Sequence, residues 1–185
     1  MSTNLICKKA SAEFLKDYTV LDIETTGLSY RTDEIIEISG LKVRNNAITD
    51  EFNTLLNPSK TIGGFITYLT GITNDMVKNA PKIEEILPDF VKFIGSDVIL
   101  GHNVRFDLNF IQENLENCGF NRINNSYIDT MILARRYCKL KSHSLKNLAQ
   151  HYEVNIAGHH RALNDCRITH EIYNKLKNEF MTLQI

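Results

Sequence analysis

Three short segments of this sequence combine carboxylates and histidines at spacings that could hold a metal ion. In the first segment, Asp22 and Glu24 are separated by one residue, and because side chains alternate across a strand, both carboxylates would point to one face. A hard divalent cation would relieve their repulsion, since Mg²⁺ and Mn²⁺ prefer oxygen ligands. A lone acidic pair is more often a solvated strand end, but apolar Val20, Leu21 and Ile23 predict that this strand is buried.

The other two segments are predicted to lie where helices begin. A strand is expected to end at the turn His102-Asn103, which places Asp107 in the first turn of the next helix. An acidic residue there is also common simply because it complements the helix dipole. The third segment joins the histidine pair His159-His160 to Asp165 at the start of the last long helix. A neutral imidazole could act as a general base, because its pKa of about 6.5 lets it accept a proton from water.

The hydrophobic patterning predicts the elements that would position these segments. Strands are expected over residues 18–22, 34–44, 48–56, 97–101 and 127–128. Helices are expected over residues 83–94, 104–118, 130–139, 144–152 and 161–180. Asn45-Asn46 suits a tight hairpin turn, and Pro88 is expected to bend or delay its helix. Hairpins followed by alternating helices and strands predict an α/β fold with a mixed sheet flanked by helices.

The composition of the 185-residue chain is that of an ordinary globular protein, with 43% hydrophobic and 23% charged residues. A net charge of −1 excludes a protein that holds nucleic acid by bulk positive charge. Four scattered cysteines predict reduced thiols, and no segment has the pattern of a secretory signal or of a membrane span. We therefore expect a cytoplasmic protein with no membrane partner, in which residues 1–17 form an N-terminal extension and residues 18–180 one domain.

In their order along the chain, the motifs Asp-Ile-Glu-Thr-Thr-Gly, His-Asn-x-x-Phe-Asp and His-x-x-x-x-Asp resemble the three exonuclease motifs of the DEDD superfamily, in its histidine-containing branch. The chain is especially similar to the epsilon-like proofreading exonuclease of bacterial replicative DNA polymerase III, in the version embedded in a larger polymerase chain. The similarity runs from about Tyr18 to Leu176. It implies a ribonuclease H-like fold with a mixed five-stranded sheet flanked by helices.

The resemblance also implies roles for individual residues. Two divalent cations, Mg²⁺ or Mn²⁺, are expected on Asp22, Glu24, Asp107 and Asp165. In the family motif the histidine stands five residues before the aspartate, which selects His160 over His159 as the general base. The substrate-binding residues implied by the family are Thr25, Thr26, Gly27, Leu28, Leu69, Thr70, Asn103 and Phe106. Separate proofreading subunits typically have histidine in place of Thr70, and for Leu28 and Phe106 core packing is the alternative.

The activity implied by the resemblance is a 3′→5′ exonuclease that releases nucleoside monophosphates from single-stranded or frayed DNA 3′ ends, in proofreading or repair, with a DNA polymerase subunit as a candidate partner. A 3′ exoribonuclease is the first alternative, because the same superfamily trims RNA with the same residues. An inactive module that binds strand ends or a polymerase would lack a carboxylate, and none is missing. A zinc hydrolase is a further alternative, but the spacings of its candidate ligands match no known zinc pattern. These candidates are Cys138, His143, His151, His159, His160 and Cys166.

Overall fold

The structure, a computed structural model, describes residues 14–182. The strands in that part of the chain are β1 (Tyr18–Thr25), β2 (Ile35–Arg44), β3 (Ala47–Leu55), β4 (Ile99–Gly101) and β5 (Tyr127–Asp129). The helices are α1 (Gly64–Thr70), α2 (Asn74–Val77), α3 (Ile83–Ile94), α4 (Arg105–Asn117), α5 (Thr130–Tyr137), α6 (Leu145–His151) and α7 (Ala162–Thr182). The strands form one sheet in the order β3-β2-β1-β4-β5, which confirms the predicted α/β fold with a five-stranded sheet.

The sheet is mixed because its two halves are connected differently. Strands β1, β2 and β3 pair antiparallel, and Asn45 and Asn46 make the β2–β3 turn with φ of 51° and 64°. Those left-handed angles are what a tight hairpin requires, and asparagine tolerates them. Strands β4 and β5 run parallel to β1, after connections that contain helices. The carboxyl ends of β1, β4 and β5, which lead into the candidate site residues, therefore lie at one edge of the sheet.

Alternation along β1 decides which side chains enter which core. Leu21 and Ile23 pack on the sheet face covered by α3 and α4, together with Phe90 and Phe110. The alternate residues of β1, which include Tyr18 and Val20, lie on the other face and pack against α7. Because side chains alternate, Asp22 and Glu24 lie on the α7 side.

The helices expected from the hydrophobic pattern do not include the two short helices α1 and α2. Helix α1 starts at Gly64, with Gly63 as its N-cap. Helix α2 follows directly, with the Thr73 hydroxyl accepting from the amide of Met76. Pro88 was expected to bend or delay its helix, and because α3 begins at Ile83 and continues through Pro88, it does not delay it.

Three further expectations concern the N-terminal extension, the cysteines and membrane-spanning segments. Phe14 packs against Tyr173 and Phe180, with ring centroids 5.3 Å and 5.6 Å apart. Residues 1–13 of the expected extension lie outside the described residues, so a domain boundary at residue 18 stays a prediction. Among residues 14–182 the cysteines are free thiols, and no helix there has the length and apolar character to cross a bilayer.

The core should be sensitive to truncation of Phe90, which is fully buried and lies edge-on to Phe52 at 5.2 Å between ring centroids. Phe90→Ala is expected to lower the free energy of unfolding by about 3–5 kcal/mol, because it removes apolar contacts and leaves a cavity. Phe120→Ala is the control, since Phe120 is 40% exposed. Urea unfolding checks the difference, and equal losses in the two variants would contradict this description of the core.

Candidate active site

Carboxylates from a strand and a helix meet beside β1. One ligand oxygen each from Asp22, Glu24 and Asp165 lies within 4.8 Å of the others. The first two extend from β1 toward α7, and Asp165 lies in the first turn of that helix. Helix α7 packs directly on β1 and β2, which brings together residues that are far apart in the sequence. The spacing fits a cation held between the three side chains.

Asp107 joins the site from the first turn of α4, where it is almost completely buried. Its Oδ1 accepts a hydrogen bond of 3.0 Å from the backbone amide of Ile23, the residue between the two β1 carboxylates. Its charge acts on both Asp22 and Asp165. The backbone contact therefore fixes a fourth carboxylate next to the other three.

The turn before α4 is held by residues of β5 and the start of α5. Asn103 has a φ of 58°, and its amide donates to Asp129 Oδ1 at 3.0 Å. The same oxygen caps α5 by accepting from the amide of Met131 at 2.9 Å. His102 Nδ1 lies 2.9 Å from the hydroxyl of Thr130. These contacts give Asp129 a supporting role that the sequence did not reveal.

Burial and mutual repulsion raise the pKa values of the carboxyl groups. Burial raises the pKa of Asp22 well above its ordinary value, and the charges of Asp107, Asp165 and Glu24 raise it further. The pKa of Glu24 is raised to about 8 by burial and then by nearby carboxylates, and burial also raises that of Asp107 to about 8. Burial raises the pKa of Asp165 as well. Glu24 and Asp107 therefore retain protons near neutral pH unless positive charge compensates them, so the site favours a cation.

Both histidines of the third motif lie at Asp165. His159 Nδ1 is 2.7 Å from Asp165 Oδ1, and the rings of His159 and His160 stack with centroids 3.8 Å apart. His160 has a φ of 68°, a left-handed conformation that is costly for a residue with a side chain. Burial lowers the pKa of His160, which favours its neutral form. The structure thus places His160 near Asp165 and shows that His159 directly contacts the carboxylate.

The loop after β1 is ordered by its own hydrogen bonds. The Thr25 hydroxyl donates to the carbonyl of Gly27 at 2.6 Å, and Thr26 is hydrogen bonded to the backbone of Glu34 through both its amide and its hydroxyl. Leu28 follows with 86% of its surface exposed. The alternative of core packing is therefore wrong for Leu28, which extends from a fixed turn into solvent.

The other residues expected to contact the substrate range from buried to exposed. Thr70 is buried, and its hydroxyl donates to the carbonyl of Ile66 at 2.9 Å and accepts from the amide of Ile72 at 3.1 Å. Leu69 is partly exposed, and Asn103 is exposed. Phe106 packs on the ring of Phe110 with centroids 5.0 Å apart, so it contributes to the core. Contacts of these residues with a substrate stay predictions.

The donor set suits a hard cation. Carboxylate oxygens are the ligands that Mg²⁺ and Mn²⁺ prefer. Two groups of side chains in the described part of the chain could hold a metal ion, the first being Asp22, Glu24 and Asp165 and the second His159, His160 and Asp165. Neither group contains Cys138, His143, His151 or Cys166, so the six residues considered for a zinc hydrolase do not all gather at one site in the described part of the chain.

Comparisons with known proteins identify relatives over nearly the whole chain. Residues 19–173 match the model of the family described as Exonuclease. The PolC-type DNA polymerase III of Caldanaerobacter subterraneus subsp. tengcongensis is 41% identical over 182 residues, which is 98% of this chain and 13% of that polymerase. The PolC-type enzyme of Clostridium perfringens is 40% identical over 182 residues, 96% of this chain and 12% of that polymerase. The chain therefore spans about one eighth of the length of these relatives.

Solved structures show the same fold. Exonuclease X in complex with 5′-overhanging duplex DNA has a TM-score of 0.71 and 28% identity, over 86% of this chain and 90% of that one. Escherichia coli exonuclease I in complex with a dT13 oligonucleotide has a TM-score of 0.80 and 16% identity, over 91% of this chain and 42% of that one. The fold is thus that of the ribonuclease H-like exonucleases, as the family resemblance implied. Together with the family match over most of its length, this places the chain in the DEDD exonuclease family.

Proposed function

We propose that this chain is a metal-dependent 3′→5′ exonuclease acting on DNA ends. The observation that carries the proposal is the convergence of Asp22, Glu24 and Asp165 within 4.8 Å, with Asp107 and His160 beside them. Exonuclease X, the solved relative at 28% identity, is bound to a duplex with a 5′ overhang, a substrate whose 3′ end is recessed. The sequence relatives are DNA polymerases, which favours DNA over RNA and a proofreading context over RNA trimming.

The four carboxylates would hold two divalent cations, Mg²⁺ or Mn²⁺. Such a pair, when bound, lowers the pKa of the attacking water and stabilises the charge that develops on the departing 3′ oxygen. Asp22 is central to the site, because its pKa responds to each of the other three carboxylates. The backbone bond from Ile23 holds Asp107 in place before any ligand binds. This fixed arrangement reduces the rearrangement needed to form the reactive complex.

His160 is proposed to accept the proton of the attacking water. Its lowered pKa keeps the imidazole neutral at physiological pH, the form that can take a proton. His159 contacts Asp165 through Nδ1 and stacks on His160, so it orients both residues. We assign to His159 a positioning role rather than proton transfer.

The exposed loop after β1 is proposed to receive the terminal nucleotide. Its backbone is fixed by the hydrogen bonds of Thr25 and Thr26, and Leu28 offers an apolar surface for an unpaired base. Contacts through stacking and phosphate carry little sequence information, so a frayed or mismatched end should enter more often than a paired one. Further contacts are proposed for Gly27, Leu69, Thr70, Asn103 and Phe106.

A digestion assay with labelled oligonucleotides tests this function. Single-stranded DNA, paired DNA, DNA with a mismatched 3′ end and matched RNA are incubated with Mg²⁺ or Mn²⁺, and the products are resolved by length. We expect stepwise shortening from the 3′ end, faster on single-stranded and mismatched DNA than on paired DNA. Degradation from the 5′ end, or RNA degraded much faster than DNA, would contradict the proposal.

The raised carboxyl pKa values predict how metal binding depends on pH. Between about pH 4.5, the ordinary pKa of a glutamate, and about pH 8, the folded metal-free chain keeps a proton on Glu24 that the unfolded chain has already released. Folding is therefore opposed increasingly as pH rises through this window, and a divalent cation should offset the loss. We expect Mn²⁺ to raise the Tm more at about pH 8 than at about pH 6.

Thermal unfolding in EDTA and in Mn²⁺ at the two pH values provides the measurement. Glu24→Gln is the matched variant, since it removes one titrating group and should reduce the difference between the two pH values. An equal stabilisation by Mn²⁺ at both pH values in the unmodified chain would show that these carboxyl groups do not exchange protons for metal.

A further inference from the structure

Glu37 is a buried carboxylate that the proposed mechanism does not use. It lies in β2 between Ile36 and Ile38 and is 1% exposed. A carboxylate at this depth requires partners. Arg161 donates from Nη2 to Oε1 at 2.8 Å and from Nε to both Oε2 at 3.1 Å and Oε1 at 3.3 Å, and the amide of Ala162 donates to Oε2 at 3.0 Å.

These contacts fasten the beginning of α7 to the sheet. Ala162 is the first residue of α7, and its amide is one of the helix N-terminal donors that have no partner within the helix. Glu37 satisfies that donor and places a negative charge at the positive end of the helix dipole. The position of Asp165 in the first turn of α7 is thereby set by a residue of β2.

The same contacts flank the strained residue of the site. His160 immediately precedes Arg161 and has a φ of 68°, which persists only when neighbouring contacts hold the backbone. Arg161 on one side is clamped to Glu37, while His159 on the other side is bonded to Asp165. Glu37 is also the direct cross-strand partner of Glu24, so its contacts with Arg161 and Ala162 begin beside the carboxylates of β1.

We propose that Glu37 and Arg161 are positioning residues that hold His160 and Asp165 against Asp22 and Glu24. Glu37 contacts the start of α7 and the Arg161 guanidinium, and its effect on the reaction passes through them. The inference rests on the proposed nuclease function for its kinetic readout. Its metal-binding readout is independent of that function.

The test uses Glu37→Gln, Arg161→Gln and the double variant. Arg44→Gln is the control, because Arg44 makes a similar two-bond pair with Asp97, at 2.9 Å and 2.7 Å, from the other end of β2. Each protein is assayed for kcat and KM on single-stranded DNA, for Mn²⁺ affinity by titration calorimetry, and for Tm. All assays are run well below the lowest Tm, so that every protein is folded.

We expect both single variants to lose about 10- to 100-fold in kcat and to bind Mn²⁺ more weakly, as when groups that orient metal ligands are removed. KM for DNA should stay within about twofold of that of the unmodified chain, because neither side chain is assigned to the substrate. The double variant should recover Tm relative to Arg161→Gln, since no buried charge is left unpaired, but it should not recover kcat. The control should keep its kcat and its Mn²⁺ affinity.

Three results would overturn the inference. The first result is that the single variants have the same kcat and Mn²⁺ affinity as the Arg44→Gln control. The second result is that the double variant recovers kcat together with Tm. If the unmodified chain degrades none of the substrates, the proposed function fails but Mn²⁺ affinity still decides this inference. In that case unchanged affinity in the single variants is the third overturning result, and weakened affinity supports the positioning role.

Discussion

Asp22→Asn is expected to lower kcat by about 10³-fold or more while leaving the protein folded. A divalent cation contributes several kcal/mol to transition-state stabilisation, and each 1.4 kcal/mol, roughly, corresponds to a factor of ten in rate. Asp22 is the carboxylate whose pKa is raised by every other acidic group of the site, so removal of its charge should disturb the whole arrangement. The substitution is nearly isosteric, which keeps the packing of β1.

The Tm of the Asp22→Asn variant shows whether a low kcat results from loss of catalysis or from unfolding. Replacement of Asp22 removes a repelling group, so the metal-free variant should have a Tm equal to or higher than that of the unmodified chain. Asp89→Asn, on the exposed surface of α3, is the control and should keep full activity. A folded Asp22→Asn protein with the kcat of the control would contradict the assignment of Asp22 to the metal site.

His160→Ala is expected to lower kcat by about 10²- to 10⁴-fold, the usual contribution of a general base. The effect should depend on pH. In the unmodified chain at saturating metal, kcat should rise with increasing pH through a pKa below the ordinary histidine value, because burial lowers the pKa of His160. The variant should lose this acidic limb of the profile, so a kcat profile from about pH 5 to pH 8 provides the measurement.

His159→Ala is the comparison that tests which imidazole transfers the proton. Because His159 contacts Asp165 at 2.7 Å, its loss should weaken metal binding and lower kcat by less than the loss of His160 does. The acidic limb should remain in this variant. A larger loss in His159→Ala, together with disappearance of the limb, would transfer the role of general base to His159.

The fold was largely predictable because its strands and long helices follow simple periodicities. Helix α3 was predicted with the bounds that the structure shows, since its apolar residues repeat at helical spacing. The α1 helix was not predicted, because Gly63 and Gly64 usually interrupt regular structure. It forms because Ile66 packs against a small cluster around Ile36, and such tertiary contact is not visible in local sequence.

The sequence proposes the candidate site as a set of residues but not as a geometry. The order of the three motifs points to Asp22, Asp107 and Asp165 as candidate metal ligands, whereas the direct contact between His159 and Asp165 could not be predicted from spacing. Glu37 was missed because its partner Arg161 is 124 positions away. A signal was nevertheless present, since a single carboxylate within the apolar run of β2 requires a buried partner.

The central claim is that acidic side chains from β1, α4 and α7 together bind divalent cations at a nuclease site. Anomalous diffraction from crystals grown with Mn²⁺ and a nucleoside 5′-monophosphate tests it most directly. We expect two anomalous peaks, each about 2 Å from carboxylate oxygens of the site, with Asp22 a ligand of both metals. Peaks that lie elsewhere, or no peak in contact with Asp22 and Asp165 at saturating Mn²⁺, would contradict the claim.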